Sequence, residues 1–239
     1  MTSRRARQPL TLTILCLFAA LVFTALGVWQ VERRTWKLDL IARVESRLKA
    51  PPVALPPAQA WPALASSQGE YRKVMAHGHF RHDRETLVDA LTELGPGYWV
   101  MTPFETTDGQ ILVNRGFVLP DRADPRTRAT GQEKGDIVLR GLVRLTEPHG
   151  RFLRPNAPAR HKWFSRDVGA LARSGGLGPV APFFIDADAT PNPGGYPVGG
   201  LTVVHFRNAH LVYALTWFAL AAMSLVGLIL ARRPVREEP

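Results

Sequence analysis

Residues 10–29 read LTLTILCLFAALVFTALGVW, and residues 211–230 read LVYALTWFALAAMSLVGLIL. Neither stretch carries a charge, and each has the roughly 20 residues that cross a hydrocarbon core as one helix. The two stretches bracket a polar middle that makes up most of the 239-residue chain. The pattern predicts a membrane protein with two transmembrane helices and one folded domain between them. A cleavable signal peptide is the competing explanation for the first stretch. Its apolar run is longer than the roughly 7–15 residues of a signal h-region, and no small-residue cleavage site follows, so it reads as a retained anchor.

Arg4, Arg5 and Arg7 precede the first span, and Arg232, Arg233 and Arg236 follow the second. Both clusters lie close enough to act as positive-inside determinants, which predicts two cytoplasmic tails and a translocated middle. The middle is itself rich in arginine, but long translocated domains are largely exempt from that rule. A formal net charge of +10 brings nucleic acid to mind, yet no nucleic-acid motif accompanies it. A basic exported domain would instead meet anionic lipid headgroups or an acidic partner. The single cysteine, Cys16, falls inside the first span, so the exported domain has neither a disulfide nor a thiolate metal ligand. That excludes copper chaperoning through paired cysteines.

The chain divides into a cytoplasmic tail (1–9), span one (10–29), an amphipathic helical extension (30–50), a Pro-rich linker (51–70), a β-rich domain (71–209), span two (210–230) and a second tail (231–239). Within the domain, YRKVMAHGHF begins at Tyr71 and alternates as a strand does. TLVDAL from Thr86 is expected to pair with it across the HDRE turn. GYWVMTPFETT and QILVNRGFVL flank Asp108-Gly109, a hairpin signal. Residues 136–145, 182–187 and 201–206 read as further strands, and residues 166–173 as a short helix closed by Gly175-Gly176. The fold class is therefore two transmembrane helices around a mostly antiparallel α+β domain, rich in β and partly closed as a barrel.

Chemistry is sparse. His77, His79 and His82 form an H-x-H strand pattern with a neighbour, but a polar strand face near a turn explains it better than a metal site. No nucleophile, zinc-protease or phosphate-loop motif is present, so the chain does not read as an enzyme. The entrance to span two, HFRNAHLVYALTWFALA, is more informative. On a helix, His210, Tyr213, Ala214 and Trp217 share one stripe that Ala221 continues. A flat macrocycle could lie on that stripe with His210 on its iron, and Arg207 could pair with a propionate. His205 is a candidate second ligand but lies off the stripe. The plain alternative is an interfacial belt of Tyr, Trp and His. Trp29 and Trp36 fit such a belt too. Gln30, Arg33 and Lys37 share a stripe that faces span two, a partner or lipid phosphates. Arg115 reads either as an ion pair at the edge of the core or as a partner contact.

Four ordered segments carry a resemblance: GVWQVERRTWK from Gly27, YRKVMAHGHFRHDRETLVDA from Tyr71, GYWVMTPFETTDGQILVNRGFVLPD from Gly97, and HFRNAHLVYALTWFALA from His205. Together they resemble the surfeit locus protein 1 family of cytochrome c oxidase assembly factors. The resemblance implies two spans in a cell inner membrane and a periplasmic domain. It implies assistance to oxidase subunit I, with haem a as transiently bound cargo, and haem a synthase and membrane lipid as further partners. It also implies that His210 is the haem ligand, which agrees with the stripe reading that sets Tyr213, Trp217 and Arg207 around it. The alternative is a haem-independent scaffold for subunit I. The family supplies no ligand role for His77, His79 and His82.

Overall fold

The computed structural model describes residues 10–151, 153–204, 206 and 208–232. They form two compact units. Val44–Val204 make one, and the described residues up to Arg43 and from Phe206 onward make the other.

The second of these is built on two helices. Helix α1 spans Leu10–Lys49 without interruption, so the apolar span and its polar extension are one rod. It stops before Pro51-Pro52, where the backbone before a proline is pushed out of the helical region. Both α1 and α4 (His210–Ala231) are long and apolar enough to cross a membrane. Their apolar windows are only 11% and 17% buried within the protein. Helices that greasy on every side, with little protein covering them, need lipid as their solvent. This is a membrane protein.

The other unit is a β-barrel. Its strands are β1 (Val53–Ala54), β2 (Lys73–Phe80), β3 (Thr86–Thr92), β4 (Gly95–Thr106), β5 (Gly109–Val118), β6 (Ile137–Leu145) and β7 (Val180–Ala187). They lie in the order β1-β2-β6-β7-β5-β4-β3. The end of β4 turns back onto β2, pairing Glu105 with His79 and Phe104 with Phe80, and this closes five strands into a ring. Most pairs are antiparallel; β1 with β2 and β5 with β7 are parallel. The expected architecture, membrane-length helices around a largely antiparallel barrel domain, is the one the chain adopts.

The barrel explains the ILV run of β5. Ile111 and Val113 point into the ring beside Phe104, Phe183 and Ile185, while Leu112 points out against Phe184 and Leu171. Leu171 belongs to helix α3 (Val168–Ser174), which Asp167 caps by accepting a hydrogen bond from Ala170 N at 3.0 Å. A strand covered on both faces shows no alternation, only continuous hydrophobicity.

Three local expectations are corrected. First, residues 51–70 are not a free linker. They contribute β1 and the short helix α2 (Trp61–Leu64), whose Trp61 and Leu64 are buried in the barrel core. Trp61 meets Phe183 edge-on at 6.1 Å and donates from Nε1 to Pro56 O at 2.9 Å. Burying one large aromatic outweighs the prolines' tendency to stay extended. Second, β3 pairs with β4 rather than with β2. Two hairpins share a Thr-x-x-Gly turn, at Thr92–Gly95 and Thr106–Gly109. In each, the threonine Oγ1 accepts from the amide two residues on, at 3.1 and 3.2 Å. In each, the glycine takes a positive φ, +99° and +138°. Local closure of β3 onto β4 wins, and the Asp108-Gly109 hairpin turns one residue early, at Thr107-Asp108. Third, residues 201–204 are not a strand. Both neighbours of β7 are already taken, and Thr202 is tied down by donating from Oγ1 to Asp186 Oδ2 at 2.9 Å.

Candidate functional site

His210 opens α4, and its Nδ1 lies 2.7 Å from Oε1 of Gln30 on α1. An amide oxygen has no proton to give, so the imidazole proton sits on Nδ1 and donates to Gln30. In the neutral ring Nε2 then carries the lone pair. This is the arrangement metal-binding histidines use: one ring nitrogen held by a neighbour, the other presented as the ligand.

The sequence brings the two helices together with small residues. Ala20 and Gly27 of α1 and Ala214 and Ala221 of α4 are buried between the helices' own side chains. A Cβ at Gly27 would stand 2.5 Å from the Phe218 ring. Small residues at such interfaces let helix backbones approach closely in lipid. Phe23 and Trp217 stack at 5.7 Å with an interplanar angle of 23°. At the far end of the pair, Arg232 Nη2 donates to Thr13 Oγ1 at 3.4 Å.

This packing divides the stripe that the sequence suggests. Ala214, Trp217 and Ala221 face α1, so they do not stand open as a plate for a macrocycle. Tyr213 points away, 55% exposed. Among the described residues of the stripe, His210 alone keeps both a fixed orientation and an unused nitrogen. Arg207 and His205 lie outside the described residues. Trp29 and Trp36 are exposed, and the guanidinium of Arg33 sits 4.1 Å over the Trp36 ring. Lys37 Nζ lies 5.2 Å from the Phe206 ring. The residue that sequence reasoning left open is Gln30. The available signal was its place at the end of span one, matching the place of His210 at the start of span two.

The three domain histidines are separated. His77 is exposed. His79 lies between Glu105 Oε2 at 3.1 Å and Asp136 Oδ1 at 3.3 Å. His82 sits in a 3-10 turn with Nε2 2.8 Å from Glu133 O, so Nε2–H donates, and burial lowers its pKa. Among the described residues no three His, Cys, Asp or Glu side chains gather to hold a metal.

The polar residues that do gather form a buried network around Asp186, 2% exposed. Its carboxylate accepts from Asn114 at 2.7 Å, from Arg144 and Arg166 at 3.1 Å each, and from Thr202. Arg166 also pairs with Glu147. Burial alone would raise the Glu147 carboxyl, but Arg166 outweighs it and holds the pKa below the usual carboxylate range. Arg144 also faces Glu70 at 3.5 Å, and opposite charges hold one another in place here, as they do in a structural network. Of the two readings of Arg115, the ion pair is not realised. The residue is 1% exposed, and no carboxylate pairs with it among the described residues.

Comparisons with known proteins now bear on the site. The profile of the SURF1 family matches residues 17–222. The chain is 40% identical to Surfeit locus protein 1 of Rattus norvegicus over 240 residues, covering 93% of this chain and 76% of the relative. It is 43% identical to Surfeit locus protein 1 of Homo sapiens over 215 residues, covering 82% and 69%. A SURF1-like protein of Monosiga brevicollis is 40% identical over 223 residues, covering 87% and 82%.

Proposed function

The chain belongs to the SURF1 family of cytochrome oxidase assembly factors, and from that premise we propose that it carries haem a to oxidase subunit I. The family's role lies in assembly rather than in catalysis. In this proposal the iron of haem a is ligated by Nε2 of His210, with Gln30 holding Nδ1. The observation that carries the reading is the 2.7 Å contact between Gln30 and His210, which leaves one imidazole nitrogen prepared for a metal.

The chain sits in the cell inner membrane with both tails cytoplasmic and the barrel domain in the periplasm. Haem a synthase is the natural donor and subunit I the acceptor. Haem a is apolar, and a ligand at the end of a membrane helix keeps the ring in an apolar setting with its iron reachable. Ligation by one histidine, without an enclosing pocket, suits cargo that must leave again.

One observation favours a second reading, in which the protein scaffolds subunit I without touching haem. Part of the stripe below His210 already packs on α1, with Ala214 and Ala221 buried and Phe23 stacked on Trp217. A transfer assay separates the two. Haem a loaded on the purified chain should pass to haem-free subunit I within minutes. Haem that stays on the chain for hours, or subunit I that matures equally well with a haem-free variant, supports the scaffold instead.

A further inference from the structure

The ends of β2, β5 and β7 and the start of β6 meet at one mouth of the barrel, around a cleft of about 210 Å³. Arg115 lines it. The Arg115 side chain is buried, yet its only partners are neutral. Nη2 donates to Gly131 O and, at 3.2 Å, to Asn192 Oδ1. Nη1 faces Nδ1 of His82 at 3.5 Å, and the guanidinium lies 4.8 Å over the Phe80 ring. Nε is buried and has no hydrogen-bond partner. Among the described residues the other buried arginine, Arg128, is paired with Glu85, and the partly buried Arg144 and Arg166 share Asp186, with Glu70 and Glu147 beside them.

A buried cation with no carboxylate bonded to it is costly, because the low dielectric around it returns only part of its lost hydration. The cost shows in its proton affinity: burial, opposed only in part by Glu85 and Glu133, brings the Arg115 pKa down to about 10. We propose that the cleft is a binding site for a small monocarboxylate, with Arg115 as its counter-ion. The geometry selects that class. Phe80, Ile137, Leu139 and Ala187 give the cleft apolar walls. Glu133 and Asp188 also line it against Arg115 and Arg140, so the lining carries no net formal charge and a ligand with two negative charges would be repelled. The volume lies below the roughly 300 Å³ at which drug-sized pockets begin, so the apolar body is a few carbons long. With Nη1 and Nη2 engaged, the unpartnered Nε–H is the donor left for one carboxylate oxygen.

The test is the thermal unfolding of the full chain in detergent with sodium butyrate against sodium chloride at matched ionic strength. A ligand that binds only the folded state raises the melting temperature saturably. The expected result is a saturable rise with butyrate that is lost in Arg115→Gln. Val138→Trp fills the cleft from its 48% exposed strand position without altering the arginine, and is also expected to abolish the rise. It decides the matter if Arg115→Gln does not fold. No saturable rise in the wild type, or an unchanged rise in Val138→Trp, overturns the site. An equal or larger shift with phosphate overturns the monocarboxylate assignment.

Discussion

Gln30 and His210 stand 180 residues apart in the chain and meet at 2.7 Å, amide oxygen to imidazole Nδ1, between two membrane-length helices. Neither residue does this alone. The helix-opening histidine supplies the imidazole, and the glutamine decides which of its nitrogens is left to bind.

Gln30→Leu therefore removes the orienting partner and keeps the ligand. Loss of such a partner typically costs about 10–100-fold in metal affinity. Titrating haem a into wild type and variant should show a drop of that order, and Gln30→Glu, which still accepts from Nδ1, should recover most of it. Equal affinities in wild type and Gln30→Leu would remove the glutamine from the site.

Asp186→Asn keeps the shape of the barrel's central acceptor and deletes its charge. Arg144 and Arg166 each lose a carboxylate 3.1 Å away. Breaking a buried pair from one side costs about 3–5 kcal/mol. Denaturant unfolding of the purified protein should show a loss in that range.

The turn glycines make a smaller prediction. Gly109 holds a φ of +138°, which a side chain resists. Gly109→Ala should destabilise the β4–β5 hairpin by about 1–3 kcal/mol, read as a lower melting temperature. Gly178→Ala, at a glycine with open space around its Cα and no positive φ, serves as the control and should melt as the wild type does.

His82 predicts a pH dependence. Burial, with Arg115 and Arg128 adding repulsion, lowers its pKa in the fold; the backbone contact with Glu133 and the charge of Glu85 oppose this. The unfolded chain therefore takes up a proton at a higher pH than the folded one. The contribution to stability is complete above the ordinary histidine value of about 6.5 and is lost as pH falls from there toward the depressed folded value. Melting curves from pH 7.5 to 5 should show the loss, and His82→Gln should flatten it.

The legible parts of the chain were those that nearby residues decide. Two uncharged runs declared the spans, and apolar segments around Asp108-Gly109 declared the β4–β5 hairpin. The short helix at residues 166–173 was marked by its closing glycines. What stayed hidden depends on distant partners. Trp61 among prolines carries no sign that Phe183 awaits it, and β3 chose β4 through a threonine side chain in the turn. The partner of Gln30 lies 180 residues away, a relation periodicity cannot express. Of the two readings of Arg115, the ion pair is not formed among the described residues, a relation that only the fold displays.

The most direct measurement is a visible spectrum. The chain is expressed with ample haem a synthesis, purified in detergent and compared with His210→Ala, both checked for equal folding by their melting curves. Carriage of haem a on His210 predicts a haem a spectrum in the wild type that is lost in the variant. Haem retained by His210→Ala, or haem absent from both proteins, would contradict it.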